Sequence, residues 1–191
     1  MSNIYEKCPT LDNERFTLRF VNMDDVNDLL EVYSDLNALP FFNSDNCDGD
    51  NFYYPDYEKM RSAVDFWLRS YETKWFVRWS IIDKVISKVI GTIEMFHRKA
   101  DDDFDGVGVL RLDLRSDYEK SDILQELFSL FIPSAYDLFD CTEIITKIPI
   151  YAIERTGAAQ KYGFNKSNSY LIGTNDHYAY NGYWTIKRVE L

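Results

Sequence analysis

Residues 107–114 read VGVLRLDL, residues 122–137 read DILQELFSLFIPSAYD, and residues 143–148 read EIITKI. The outer two are short, rich in β-branched and aliphatic residues, and read as strands. The middle one sets Ile123, Leu127 and Phe131 at core spacing and reads as a helix. A helix between two strands allows a parallel crossover, and that decides the architecture around it.

Upstream, residues 75–82 and 89–96 read as strands joined by a polar turn near Asp83 and Lys84, forming an antiparallel meander with 107–114. Residues 15–20 alternate as a first strand. Val26, Leu29, Leu30 and Tyr33 then recur at helical spacing, and residues 56–71 set Met60, Val64, Trp67 and Tyr71 on one helix face. Downstream, 153–162 is a short helix, and 169–172 and 183–189 are the closing strands. The order β-αα-β-β-β-α-β-α-β-β predicts an α/β (mixed α+β) domain. It should hold a mixed, twisted sheet of about seven strands with helices on both faces. No repeat, low-complexity tract or linker interrupts the chain, so residues 1–191 read as a single domain. Where the antiparallel run meets the parallel pair, strand ends diverge and open a cleft, a natural binding position.

Among 191 residues, 21 Lys+Arg stand against 32 Asp+Glu, a net charge of −11. That field repels phosphate, which argues against nucleic acid and anionic membrane surfaces as partners and favours a cationic small molecule or basic peptide. The acidity concentrates between Asn43 and Glu58, where Asp45, Asp48, Asp50, Asp56 and Glu58 occur without one Lys or Arg. Cys8, Cys47 and Cys141 are an odd number without short spacing, so neither a disulfide framework nor a zinc site follows. The alternating aspartates Asp101, Asp103 and Asp105 before Gly106 resemble half of a calcium loop. The twelfth position, however, is Leu112 and not the glutamate calcium needs, so the segment reads as an acidic hairpin loop. With only His97 and His177 besides, no metal site is expected. No basic leader and no run of about 18 apolar residues is present, and the expectation is a cytoplasmic protein with reduced thiols.

Phe16-Thr17-Leu18-Arg19-Phe20 followed by Met23-Asp24-Asp25-Val26, then Val89-Ile90-Gly91-Thr92-Ile93, Lys161-Tyr162-Gly163-Phe164 and the closing run from Tyr180 to Arg188 succeed one another in order. In this order and spacing the chain resembles the GNAT acetyltransferase superfamily, in particular the branch that acetylates ribosomal-protein N-termini and small amines. The resemblance spans nearly everything from Arg15 onward. It implies a GNAT fold in which the fourth and fifth strands splay, with acetyl-CoA as co-substrate and a small-molecule or peptide amine as acceptor. The chain would act as a monomer or homodimer.

The resemblance also implies where the chemistry would sit. The pantetheine arm pairs with the fourth strand, and the pyrophosphate rests on the following turn and helix N-terminus, where free N–H groups and the helix dipole favour an anion. The matching residues are Leu112, Leu114, Arg115, Lys120, Ser121, Asp122 and Ile123, a stretch that contains no glycine. The family's acid tyrosine falls on Ala159, its helix-start asparagine on Ala152, and its fifth-strand glutamate on about Lys147. Glu94, Asp113 and Tyr151 are then the catalytic candidates, and Asp45, Asp48 and Asp50 stand on the acceptor side, where they would steer a cation. The expected function is N-acetylation of a primary amine. The alternative, favoured by the glycine-free turn, is a GNAT-fold binding or regulatory protein without acetyl-CoA chemistry.

Overall fold

Strand β3 (Val77–Asp83) is buried on both faces. Val77, Trp79 and Ile81 point one way into an apolar core, and Arg78 and Ser80 point the other way into a polar layer. This computed structural model describes residues 4–189. Around β3 stand β1 (Leu11–Asp12), β2 (Phe16–Phe20), β4 (Lys88–His97) and β5 (Gly108–Leu114), all antiparallel. Beyond them come β6 (Glu143–Lys147), β10 (Tyr183–Lys187) and β7 (Asn165–Lys166), completing an eight-stranded sheet in the order β1-β2-β3-β4-β5-β6-β10-β7. Among the described residues, only β5 and β6 run parallel. They pair at Gly108–Ile144, Val109–Ile145 and Leu110–Thr146, and then diverge, leaving one edge of residues 111–114 without a strand neighbour.

Helices cover both faces. α3 (Ser121–Leu138) and α4 (Ile153–Tyr162) carry Leu127, Phe131 and Ala158 into the core built on Trp79, Ile93 and Leu112. α1 (Val26–Tyr33) and α2 (Tyr57–Glu72) bring Leu29, Tyr33, Val64 and Trp67 to the opposite face. α2 starts where the Asp56 side chain accepts a hydrogen bond from the Lys59 N–H. α4 stops at Gly163, whose φ of +114° is open to glycine and strained for other residues. Gly91 answers a different need, because a Cβ there would lie 2.2 Å from the Asp113 carbonyl oxygen.

The parallel crossover, the splay and the helices on both faces agree with the sequence reading. Two details differ. Two-residue edge strands at Leu11–Asp12 and Asn165–Lys166 raise the count to eight in the main sheet. The expected closing strand at 169–172 is reduced to β8 (Leu171–Ile172), which pairs locally with β9 (Ala179–Tyr180) in a separate hairpin. Among the described residues, no helix is long and apolar enough to cross a membrane.

Candidate functional site

Register, not sequence proximity, assembles the polar layer under α1 and α2. Arg78 lies opposite Glu94 and Glu94 opposite Arg111, while Thr92 lies opposite Asp113. All five side chains therefore share one face of the sheet. Arg111 Nη1 donates to Glu94 Oε1 at 2.8 Å, and Arg78 Nη2 donates to Glu94 Oε2. Arg78 Nη1 reaches the Tyr33 hydroxyl at 2.8 Å, Thr92 Oγ1 at 3.0 Å and Asp113 Oδ2 at 3.3 Å. The Tyr33 hydroxyl donates to Asp113 Oδ2 at 2.8 Å.

These contacts change what two of the candidates can do. Glu94, on a strand position that could have faced solvent, is 1% exposed. Burial alone would raise its pKa, but the Arg78 and Arg111 charges outweigh that and hold it below the usual carboxylate range. With both oxygens engaged by guanidinium groups, Glu94 is a fixed charge and a poor proton acceptor. Asp113 is fully buried, and burial raises its pKa against the opposing pull of Arg78 and the Tyr33 hydrogen bond. Tyr151 is not brought to this layer. It is 57% exposed and donates to the Pro40 carbonyl at 2.6 Å, its ring edge against Phe41.

Beside Glu94 lies a cavity of about 380 Å³. Its walls are aromatic, with Phe52, Trp67, Trp75 and Phe96 prominent, and Arg78, Glu94 and Arg111 form its floor. The guanidinium of Arg78 stacks 4.1 Å from the Trp67 ring centroid, and that of Arg111 lies 5.6 Å from Phe96. Asp48 and Asp50, both exposed, stand among the lining residues. Asp50 also accepts from the Phe52 N–H at 2.7 Å and the Tyr54 hydroxyl at 2.9 Å. Thr174 and Asn175, from the β8–β9 hairpin, close the far side and are tied to Asn46 by two hydrogen bonds.

Asp45 departs from its expected role. It is buried, its carboxylate is bound by Lys147 Nζ at 2.6 and 2.7 Å, and it accepts from the Tyr183 hydroxyl at 3.0 Å. A neutralised, enclosed carboxylate cannot steer a ligand from solution, so this residue anchors the acidic loop to β6. The loop aspartates at 101, 103 and 105 do not converge on a metal. Among the described residues, no group of three or more His, Cys, Asp or Glu could hold one.

The splay between β5 and β6 is filled by residues the sequence reading did not single out. Arg155 of α4, 3% exposed, donates from Nη1 to the Leu112 carbonyl at 2.9 Å and to the Phe41 carbonyl at 3.3 Å. Its Nε and Nη2 grip both oxygens of Glu119 at 2.6 and 2.7 Å. At the head of α3, the Ser121 N–H donates to Glu154 at 2.8 Å, and the Lys120 N–H donates to the Tyr118 carbonyl at 2.8 Å. Arg115 is held by Asp117 and Glu31. The candidates Leu112, Leu114, Arg115, Lys120, Ser121, Asp122 and Ile123 are thus gathered at one place. Several of their hydrogen-bonding groups are already taken by the chain itself, and Asp117, Glu119, Asp122 and Glu154 place four carboxylates there. As arranged, these residues do not fit coenzyme A. A sequence signal that could have found Arg155 is its place in the first turn of a short helix, where a cation opposes the helix dipole unless something else holds it.

No protein-family model matches this chain, and no curated protein matches it. Solved structures do. An acetyltransferase of the GNAT family from Bacillus anthracis is 13% identical, covers 94% of this chain and 98% of its own, and superposes with a TM-score of 0.68. A ribosomal-protein-S5-alanine acetyltransferase from Vibrio fischeri is 14% identical over 94% of this chain and 96% of its own, with a TM-score of 0.67. A ribosomal L7/L12 alpha-N-protein acetyltransferase, solved in complex with coenzyme A, is 13% identical over 94% and 98%, also with a TM-score of 0.67. At such identities the common property is the three-dimensional arrangement, and the splayed β5–β6 pair on which it turns is present here: the chain has the fold of the GNAT acetyltransferases, ribosomal-protein acetyltransferases among them.

Proposed function

We propose that this chain is a GNAT-fold binding protein whose working site is the aromatic cavity beside Glu94, and whose ligand is a small organic cation or the free amine of a peptide. The carrying observation is the cavity's charge layout. On its floor the two guanidinium charges face Glu94 and Asp113 and are largely neutralised, whereas Asp48 and Asp50 along its lining stay exposed and, among the described residues, without an ion-pair partner. Ring faces and carboxylates together favour a cation with an apolar body. Binding is favoured over transfer because the carboxylate on the cavity floor, Glu94, has both oxygens held and is depressed in pKa, so it does not take a proton from a bound amine. Calorimetric titration with phenethylamine and with a short C-terminally amidated peptide lacking basic side chains tests this, each beside its N-acetylated, uncharged form. Saturable binding of an amine and weaker binding of its neutral form support the reading; equal binding of both removes it.

A second reading, acetyl transfer from acetyl-CoA to such an amine, is favoured by the splay itself and by the acetyltransferases that share the fold. It requires the Arg155–Glu119 pair to leave the cleft. Acetyl-CoA consumption in the presence of the same amines, followed by thiol release, separates it from simple binding.

A further inference from the structure

We infer that Glu119, Glu154 and Arg155 stand within the fold in place of coenzyme A, so that the cleft is a permanent internal joint and not a cofactor site. The inference does not depend on what the aromatic cavity binds. A coenzyme A molecule lying in a parallel splay supplies two things: an amide N–H for the strand edge that has lost its neighbour, and an anion for the first N–H groups of the next helix. Here both are supplied by side chains of α4 and the turn before α3. Past Leu110 the β5 edge has no strand beside it, and the Leu112 carbonyl receives the Arg155 guanidinium instead. At the head of α3 the Ser121 N–H donates to the Glu154 carboxylate at the outer, exposed end of the cleft. Glu119 neutralises the guanidinium through a two-pronged contact, so the filled cleft carries no unpaired cation.

Two further observations agree. Gly157, two residues after Arg155, sits where a Cβ would come 3.8 Å from Ser121 Oγ, so α4 packs against the start of α3 at this point. The local charge also disfavours a pyrophosphate. Arg155 is paired with Glu119 and Arg115 with Asp117, while Asp122 and Glu154 add further negative charge and the charge of Lys120 acts on Asp117. Two added phosphate charges would meet net repulsion there.

The experiment is calorimetric titration of acetyl-CoA into the wild-type chain and into the triple variant Glu119→Gly, Glu154→Gln, Arg155→Ser, with circular dichroism as the check on folding. The wild type is expected to give no saturable heat at millimolar acetyl-CoA, and the folded triple variant to bind at least tenfold more tightly. Stoichiometric binding by the wild type overturns the inference, and so does a folded triple variant that binds no better than the wild type. Should the triple variant fail to fold, Glu119→Gln with Arg155→Lys frees the Leu112 carbonyl more gently and is judged by the same two readings. Hydrogen exchange at residues 121–123 in the wild type gives an independent answer. Exchange unchanged by acetyl-CoA supports the internal joint, and new protection there overturns it.

Discussion

Lys147 Nζ lies 2.6 and 2.7 Å from the two carboxylate oxygens of Asp45, joining the acidic loop to the end of β6 across 102 residues of sequence. The Tyr183 hydroxyl adds a third bond to the same carboxylate. Asp45→Asn should therefore act on stability: the loss of charge-assisted hydrogen bonds in a mostly buried site is worth about 1.5–3 kcal/mol. Urea denaturation should show the lower midpoint with an unchanged slope, and a midpoint equal to that of the wild type would show that the loop is held by other contacts.

Asp48 and Asp50 differ in kind, because both are exposed at the cavity. Asp48→Asn should weaken amine binding about two- to threefold at low salt and hardly at all at high salt, since exposed charges are screened beyond roughly 8 Å at physiological ionic strength. Asp50→Asn should add a loss of order in the loop, because its carboxylate also holds the Phe52 N–H and the Tyr54 hydroxyl. Dissociation constants measured at two salt concentrations distinguish the two variants.

The depressed pKa of Glu94 makes acid stability a readout of the polar layer. A carboxylate whose folded pKa lies below its unfolded value, about 4.3, contributes stability that is present above that value and lost as pH falls through the folded one. Asp113 acts in the opposite sense. Its raised pKa gives a contribution that is present at low pH and lost as pH rises through the folded value. Glu94→Gln should flatten the acid limb of the stability curve. Near neutral pH it should cost about 3–5 kcal/mol, because Arg78 and Arg111 are left buried beside a neutral amide. Thermal midpoints of both proteins between pH 3 and pH 7, taken at roughly half-unit steps, would expose an unchanged acid limb if the assignment is wrong.

Arg155→Ala should be among the most damaging substitutions in the chain. It leaves Glu119, whose side chain is 6% exposed, without its cation, and leaves the Leu112 carbonyl without its donor. Removing one partner of a buried pair costs about 3–5 kcal/mol. Combining it with Glu119→Ala should recover part of that loss, which a double-mutant cycle measures directly.

Much of the fold could be read from local pattern. The helix spacing of Ile123, Leu127 and Phe131, set between two short apolar runs, was enough to place the one parallel crossover and the splay that follows from it. The site was less legible, because its contacts depend on register. Glu94 meets Arg78 and Arg111, 16 and 17 residues away, only because the two hairpins have the lengths they have. A change of one residue in either turn would send those side chains to the opposite face. Glu119 and Arg155 lie 36 residues apart and meet because α3 and α4 converge at the cleft, a tertiary fact that no short pattern carries. The short run at 169–172 misled for a related reason: its β-branched and aromatic residues suit a strand, but its partner is the nearby Ala179–Tyr180 and not the main sheet.

The three rungs between β5 and β6 give the molecule a seam. On one side lies the antiparallel run β1 to β5, and on the other the trio β6, β10 and β7, each stitched internally by strand pairing. Across the seam the backbone contributes only the pairs at 108–144, 109–145 and 110–146, and beyond them the union passes to side chains. Under mild denaturant the two sides should therefore come apart before either unravels, with amide exchange rising first along the facing edges of β5 and β6 while β3 and β4 keep their protection. In that event Arg155 and the Asp45–Lys147 pair are the latches, and the order of opening is set by these side chains, not by the sheet.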